Sequence, residues 1–177
     1  DPLSRDGFKK KGLVMGDVQS GKTANYLGLI NRAADVKYKL IILIAGIHVN
    51  LRRQTQNRII EGFIGEDSVT REKIGVGKIL PFERSRTPVS LTSLDNDFTL
   101  KTQKSITFDP ETSNAPVILV IKKNTSTLKS LIKWLQAGVG ANQYTNNYPL
   151  LLIDDEADNA SVNYNDEDND PTRINGQ

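Results

Sequence analysis

The sequence has no cysteine and only one histidine, His48, among 177 residues. The lack of cysteine excludes disulfide frameworks, thiolate zinc sites and cysteine catalysis. With a single histidine, a multi-histidine metal site is impossible, and a Ser-His-Asp triad could use only His48. Long apolar runs are also missing, because the longest, Leu40–Ala45 and Leu150–Ile153, are strand-sized and far below the roughly 20 residues of a membrane-spanning helix.

The opening segment lacks the apolar stretch of a secretory leader, since Asp1–Lys11 is polar and charged. We therefore expect a cytoplasmic protein without a membrane partner. Residues 1–90 carry 16 Lys and Arg against 9 Asp and Glu, whereas residues 91–177 carry 7 against 12. This asymmetry suits a protein that meets an anion with one part and a metal with another, although two solvated faces explain it equally well.

Hydrophobic periodicity predicts alternating strands and helices. Four short apolar runs are typical of buried strands: Gly12–Met15, Leu40–Ala45, Pro116–Ile121 and Leu150–Ile153. Apolar residues at helical spacing predict helices over Lys22–Ala34, Val49–Ile60 and Thr125–Ala137. This alternation predicts an α/β fold in which helices flank a parallel sheet.

Two segments depart from this alternation. Residues 63–115 are dense in Gly, Pro, Ser, Thr and Asp, and predict an irregular or small-β insertion with short antiparallel strands at Lys73–Ile79 and Phe98–Thr107. Residues 159–177 are polar and acidic, and predict a flexible tail. Because the chain begins without Met and stops in a polar stretch, we expect residues 1–177 to form one lobe of a longer protein.

A glycine-rich motif lies between the first predicted strand and the first predicted helix. It reads Gly16-x-x-x-x-Gly21-Lys22-Thr23. Its glycines let backbone N–H groups surround phosphates, Lys22 would reach the β- and γ-phosphates and stabilise charge during catalysis, and the Thr23 hydroxyl would ligate Mg²⁺. The alternative is a glycine-rich turn with an incidental lysine. The motif predicts binding of ATP through Gly16, Gln19, Ser20, Gly21, Lys22 and Thr23.

Carboxylates follow the last predicted strand, at Asp154, Asp155 and Glu156. Such carboxylates are costly at the end of a buried strand unless they meet a cation or hydrogen-bond donors. We assign Asp155 to Mg²⁺ and Glu156 to the catalytic base that activates water, with Asp154 as the competing metal ligand. The alternative is an acidic turn that caps the strand.

Basic and amide side chains follow two other predicted strands. Arg52, Arg53 and Gln54 open the second predicted helix and could bind DNA phosphates, although a solvated helix face is about as plausible. Lys122 and Lys123 follow the third strand, where a solvated role is slightly favoured.

Two motifs together resemble those of DEAD-type helicases: Gln19-Ser20-Gly21-Lys22-Thr23, with Gln19 in place of the usual glycine, and Asp155-Glu156-Ala157-Asp158. More narrowly, the chain resembles the Z-one domain family, bacterial ATPases associated with endonucleases and related to superfamily-two helicases. The similarity lies in QSGKTANYLGLI (19–30), LRRQTQNRI (51–59), VIKKN (120–124) and LLIDDEADNASVN (151–163). It covers most of the chain except residues 63–115.

The resemblance implies a RecA-like P-loop NTPase core that acts on DNA in restriction or defence. It also implies a later Thr-Ala-Thr-Pro-type motif and a second RecA-like lobe that carries an arginine finger, and neither is present before Gln177. We therefore expect the ATP-binding and ATP-hydrolysing lobe of a helicase-like DNA motor, with weak hydrolysis by this chain alone. The alternatives are a P-loop phosphotransferase and a non-catalytic, nucleotide-sensing scaffold module.

Overall fold

A computed structural model describes residues 9–15, 21–79, 87–99, 114–138 and 148–158. Over these residues the chain forms an α/β fold with a four-stranded sheet in the order β2-β3-β1-β4. The strands are β1 (Leu40–Ile44), β2 (Val89–Ser90), β3 (Val117–Ile121) and β4 (Leu150–Asp154). All pairings between them are parallel, as the sequence predicts.

Strand β1 lies between β3 and β4 and sets the register of both. Leu40 lies opposite Val117 and Leu150, and Ile44 lies opposite Ile121 and Asp154. The strands therefore end together, which brings the residues after β1, β3 and β4 to one edge of the sheet. Ligands of open parallel sheets bind at this edge.

Helices cover both faces of the sheet. Helix α1 spans Lys22–Asp35, and α2 spans Val49–Ile59 and continues into a π-helical turn at Ile60–Ile64. The short α3 spans Val76–Ile79, and α4 spans Thr125–Gly138. No helix among the described residues is long and apolar enough to cross a membrane.

Strand residues alternate between two apolar clusters, as the two-residue period of a strand requires. On one face, α1, α2 and the π-helical turn pack on β1 and β3 through Tyr26, Ile30, Ile41, Leu43, Ile59, Phe63, Ile118 and Val120. On the other face, α4 and the segment after β2 pack through Leu40, Ile42, Phe98, Val117, Leu119 and Leu131. Burial on both faces explains why β1 and β3 are unbroken apolar runs.

Most predicted elements are confirmed, with bounds that differ by a few residues. One clear exception is Gly12–Met15, which we expected to be a buried strand. It forms no strand and is exposed, with Met15 84% accessible. A four-residue apolar run indicates burial only where a neighbouring strand is available, and no further strand flanks β4 within the described residues.

The segment 63–115 also differs from expectation. Lys73 forms a single antiparallel bridge with Glu66, but Val76–Ile79 is helical, so the strand predicted at Lys73–Ile79 is wrong. Strand β2 was not predicted, because its two residues are too few to produce a pattern. Of the strand predicted at Phe98–Thr107, the structure describes only Phe98 and Thr99, which are not in a strand.

Candidate functional site

Helix α1 begins at the carboxyl edge of the sheet, where its first backbone N–H groups form the positive end of the helix dipole. Gly21 precedes it with φ of 80°, a left-handed conformation that favours glycine. Among the described residues no side chain caps the helix, and its first turn contains no acidic residue. Its first N–H groups thus have no side-chain acceptor within the described part of the chain, and such groups favour an anionic ligand.

The first two residues of α1, Lys22 and Thr23, carry an ammonium group and a hydroxyl group at the start of the helix. Lys22 is exposed and forms no ion pair with any described residue. The Thr23 hydroxyl accepts a hydrogen bond of 2.8 Å from Nη1 of Arg58, in the last turn of α2. Two cationic side chains thus border the start of α1.

The turn after β4 is anchored to β3 by Lys123. Its Nζ lies 2.9 Å from Oδ2 of Asp154 and donates a 2.8 Å hydrogen bond to the carbonyl of Glu156, and its side chain is only 3% exposed. The backbone N–H of Asp155 also donates to the carbonyl of Ile44 at 3.0 Å. We expected Lys123 to be solvated, and this is wrong: it pairs with Asp154, the competing metal ligand.

The Asp155 carboxyl shares its surroundings with both cations. Burial raises its pKa above the ordinary value, and the neighbouring Glu156 carboxylate raises it further. The Tyr26 hydroxyl opposes this rise in pKa, as do the charges of Lys22 and Arg58. Salt screens charges over roughly 8–10 Å, so the charges of Lys22 and Arg58 lie near enough to act on the Asp155 carboxyl. The two motifs therefore converge.

Tyr26 of α1 is a buried neighbour of Thr23 and Asp155. Its side chain is buried, and its hydroxyl makes no hydrogen bond of ordinary geometry within the described part of the chain. Thr23, Asp155 and Thr55 are its polar neighbours, and burial raises its pKa. The hydroxyl therefore keeps its proton at neutral pH and lies near both Thr23 and Asp155.

Glu156 is positioned by a glycine. Gly46 follows β1 with φ of +51°, and a Cβ atom there would lie 2.7 Å from Oε2 of Glu156. The backbone N–H of Lys123 donates to the carbonyl of Gly46 at 2.7 Å, which holds this close approach in place. The Glu156 carboxylate thus lies against the end of β1, beside Asp155.

The three residues proposed for DNA have different environments. Arg52 is 2% exposed, and its guanidinium donates to the carbonyls of Ser93, at 2.8 Å, and Leu94. We expected Arg52 at a DNA-facing surface, but the structure buries it because these carbonyls need a donor. It is therefore not part of a surface site.

Arg53 and Gln54 remain exposed on α2. Arg53 pairs with Asp95 at 2.6 Å, and with Gln54, Asn57 and Arg58 it lines an open, shallow groove. Arg58, which lines this groove, is the residue that donates to the Thr23 hydroxyl. Its positive charge is available to solvent, unlike that of Arg52.

The donor set fits a magnesium-bound phosphate better than a bare metal ion. No three His, Cys, Asp or Glu side chains cluster as metal ligands within the described ranges. Magnesium is usually held by one or two protein oxygens together with phosphate and water. The Thr23 hydroxyl and the Asp155 carboxylate provide such oxygens, and Lys22 with the start of α1 suits the phosphates.

Three predicted nucleotide-binding residues, Gly16, Gln19 and Ser20, lie outside the described residues. Conversely, sequence reasoning did not assign four residues that contribute here: Tyr26, Gly46, Arg58 and Lys123. Only Lys123 has a signal in the sequence, because a lysine two positions after a buried strand lies near the ligand-binding edge.

Comparison with known proteins yields no match of this chain to any family model, curated protein or solved structure.

Proposed function

We propose that the chain binds ATP with Mg²⁺ at the carboxyl edge of the sheet and contributes to its hydrolysis. The observation that carries the proposal is that α1, which begins with Lys22 and Thr23, packs on β4, which leads into Asp155, so that the charge of Lys22 acts on the Asp155 carboxyl. The two residues come from motifs far apart in the sequence, and each suits one half of a magnesium–phosphate site.

The residues have separate roles in this proposal. Lys22 and the N–H groups of α1 bind the phosphates, and Thr23 and Asp155 hold Mg²⁺, which neutralises phosphate charge when bound. Glu156 accepts the proton of the attacking water. Asp154 is engaged by Lys123, which favours Asp155 over Asp154 as the metal ligand.

We further propose that this ATPase is a RecA-like lobe of a helicase-like DNA motor, of the Z-one kind, in restriction or defence. The parallel sheet with flanking helices is compatible with such a lobe. The exposed face of Arg53 and Gln54 is the proposed DNA contact. Replacing Arg53 with Ala should weaken DNA binding for all sequences and reduce its salt dependence by about one counterion.

Isothermal titration calorimetry with ATP and Mg²⁺ tests the core of the proposal. Lys22→Ala removes a charge-assisted contact of about 1.5–3 kcal/mol, so ATP affinity should fall roughly 10- to 150-fold. Lys129→Ala is the matched control, because Lys129 is an exposed lysine on α4. Equal affinity of the wild type and Lys22→Ala would overturn the assignment.

A second variant separates binding from hydrolysis. Glu156→Gln keeps the shape of the side chain but removes the base, so ATP affinity should stay within about twofold of the wild type while turnover, measured with DNA and a second lobe supplied, is lost. Normal turnover in Glu156→Gln would refute the base role. Retained ATP binding with no turnover in the wild type, even with DNA and a second lobe supplied, would favour the nucleotide-sensing scaffold instead.

A further inference from the structure

Arg58 occupies a position that the proposed function does not explain. It lies in the last turn of α2, yet its Nη1 donates to Oγ1 of Thr23, in the first turn of α1, at 2.8 Å. The remaining N–H groups of its guanidinium form no hydrogen bond or ion pair with the described residues. An exposed arginine thus touches the residue assigned to Mg²⁺.

Stability alone is a poor reason for this contact. A hydrogen bond with a charged donor contributes about 1.5–3 kcal/mol, and less where water competes for the donor, as it does at this exposed contact, while ordering an arginine side chain costs up to about 2 kcal/mol. Arg58 therefore adds little to the folding free energy. Its neighbour Arg52, in contrast, is buried and bound to two carbonyls.

The charges around Arg58 favour an anion. Arg58 and Lys22 are two cations at the uncapped start of α1, and neither forms an ion pair with a described residue. Asp155 is the nearby carboxylate that responds to both, and it is assigned to the metal. A planar guanidinium with several free donors matches a phosphate group, which accepts two of its N–H groups at once.

The contact with Thr23 also conflicts with metal binding. The Thr23 oxygen accepts a hydrogen bond from a cation on one of its two lone pairs, and Mg²⁺ on the other lone pair would bring a second cation against the guanidinium. Charge repulsion therefore favours the release of Arg58 from Thr23 when that oxygen serves Mg²⁺. A phosphate that shares the metal with Thr23 is a neighbouring acceptor to which the guanidinium can turn.

From this geometry we propose that Arg58 is a second phosphate-binding cation of the nucleotide site. When a nucleoside triphosphate binds, the guanidinium gives up its hydrogen bond to the Thr23 hydroxyl and donates to a phosphate oxygen instead. This inference rests on the proposed function. Arg58 thereby couples α2, which carries the Arg53–Gln54 surface, to the nucleotide. No covalent bond changes in this step, because only hydrogen bonds are exchanged.

Calorimetry with ATP and Mg²⁺ on the whole chain tests this exchange. Arg58→Ala should weaken ATP affinity roughly 10-fold or more, since it removes a charged donor of phosphate. Arg58→Lys should restore only part of the affinity, because an ammonium supplies charge without the planar pair of donors. Arg32→Ala is the matched control: Arg32 is an exposed arginine in the last turn of α1, at the opposite end of that helix from Lys22, and this variant should bind ATP like the wild type.

A thermal unfolding scan without nucleotide supplies the second readout. Arg58→Ala should melt close to the wild type, so that its lost ATP affinity cannot be attributed to misfolding. A parallel loss of stability and affinity would indicate a structural role and overturn the inference.

The experiments distinguish a wrong role for Arg58 from a wrong proposed function. If Lys22→Ala weakens ATP binding but Arg58→Ala does not, the role of Arg58 is wrong and the proposed function stands. If the wild type itself does not bind ATP, the proposed function fails, and the role of Arg58 fails with it.

Discussion

Replacing Gly46 with alanine tests the placement of the proposed base. Gly46 has φ of +51°, and an added Cβ would lie 2.7 Å from Oε2 and 3.0 Å from Cδ of Glu156, and 3.2 Å from Cδ1 of Leu51. The left-handed backbone alone costs an L-residue roughly 1–2 kcal/mol. The steric overlap adds about 1–3 kcal/mol, less whatever the Glu156 side chain recovers by moving.

Gly75 is a matched control for the backbone part of this cost. Its φ is +47°, but a Cβ there would meet no atom within 4 Å. Urea unfolding should therefore show a free energy loss for Gly46→Ala that exceeds the loss for Gly75→Ala by on the order of 1 kcal/mol. Combining Gly46→Ala with Glu156→Ala should remove most of that excess, since only the Leu51 contact remains.

Equal losses for the two glycine variants, with no coupling between Gly46→Ala and Glu156→Ala, would refute this reasoning. The Glu156 carboxylate would then not lie against the end of β1. The same Gly46→Ala protein should still bind ATP but hydrolyse it more slowly, because the displaced carboxylate no longer faces the water.

Other variants test the surroundings of the site. Lys123→Met leaves Asp154 without its cation and should lower the unfolding free energy, measured in urea, by about 2 kcal/mol. The loss is smaller than for a fully buried ion pair because Asp154 is partly exposed. A change below about 0.5 kcal/mol would contradict the ion pair. Arg52→Ala should lower it by about 2–3 kcal/mol and Arg53→Ala by less than about 1 kcal/mol, measured the same way; the reverse order would show that Arg52 is not buried. Asp155→Asn should raise the melting temperature of the nucleotide-free protein at pH 7. Folding raises the pKa of Asp155, so the protonated carboxyl favours the folded state. This contribution to the unfolding free energy is complete below the ordinary pKa of 3.8 and is lost as pH rises through the raised pKa of the folded protein. The gain in melting temperature from Asp155→Asn should therefore shrink towards pH 4. A gain that is the same at every pH would refute the explanation by the raised pKa of Asp155.

Sequence patterns predicted the parts of the fold that depend on local or repeated chemistry. The runs at β1 and β3 are apolar at every position because both faces are covered, and that burial is visible without coordinates. The acidic motif follows the end of β4, as predicted, and this edge is where ligands of parallel sheets bind. The run before the phosphate-type motif forms no strand, so topology accounts for the position of the acidic motif only.

Contacts between distant segments could not be predicted in this way. Arg52 and Arg53 are adjacent and chemically identical, and both donate to the carbonyl of Leu94. Yet Arg52 is buried and Arg53 is exposed, a difference that the packing of the segment after β2 decides. Arg58 reaches Thr23 across two helices, and no spacing within α2 signals that contact. The error at Gly12–Met15 has the same origin, since burial of a short apolar run depends on a neighbour that its own residues do not specify.

A crystal structure with Mg²⁺ and a non-hydrolysable ATP analogue tests the central claim most directly. The account predicts the triphosphate at the start of α1 in contact with Lys22, and Mg²⁺ ligated by Thr23 and Asp155. A nucleotide bound elsewhere, or a metal that contacts Thr23 but not Asp155, would contradict it.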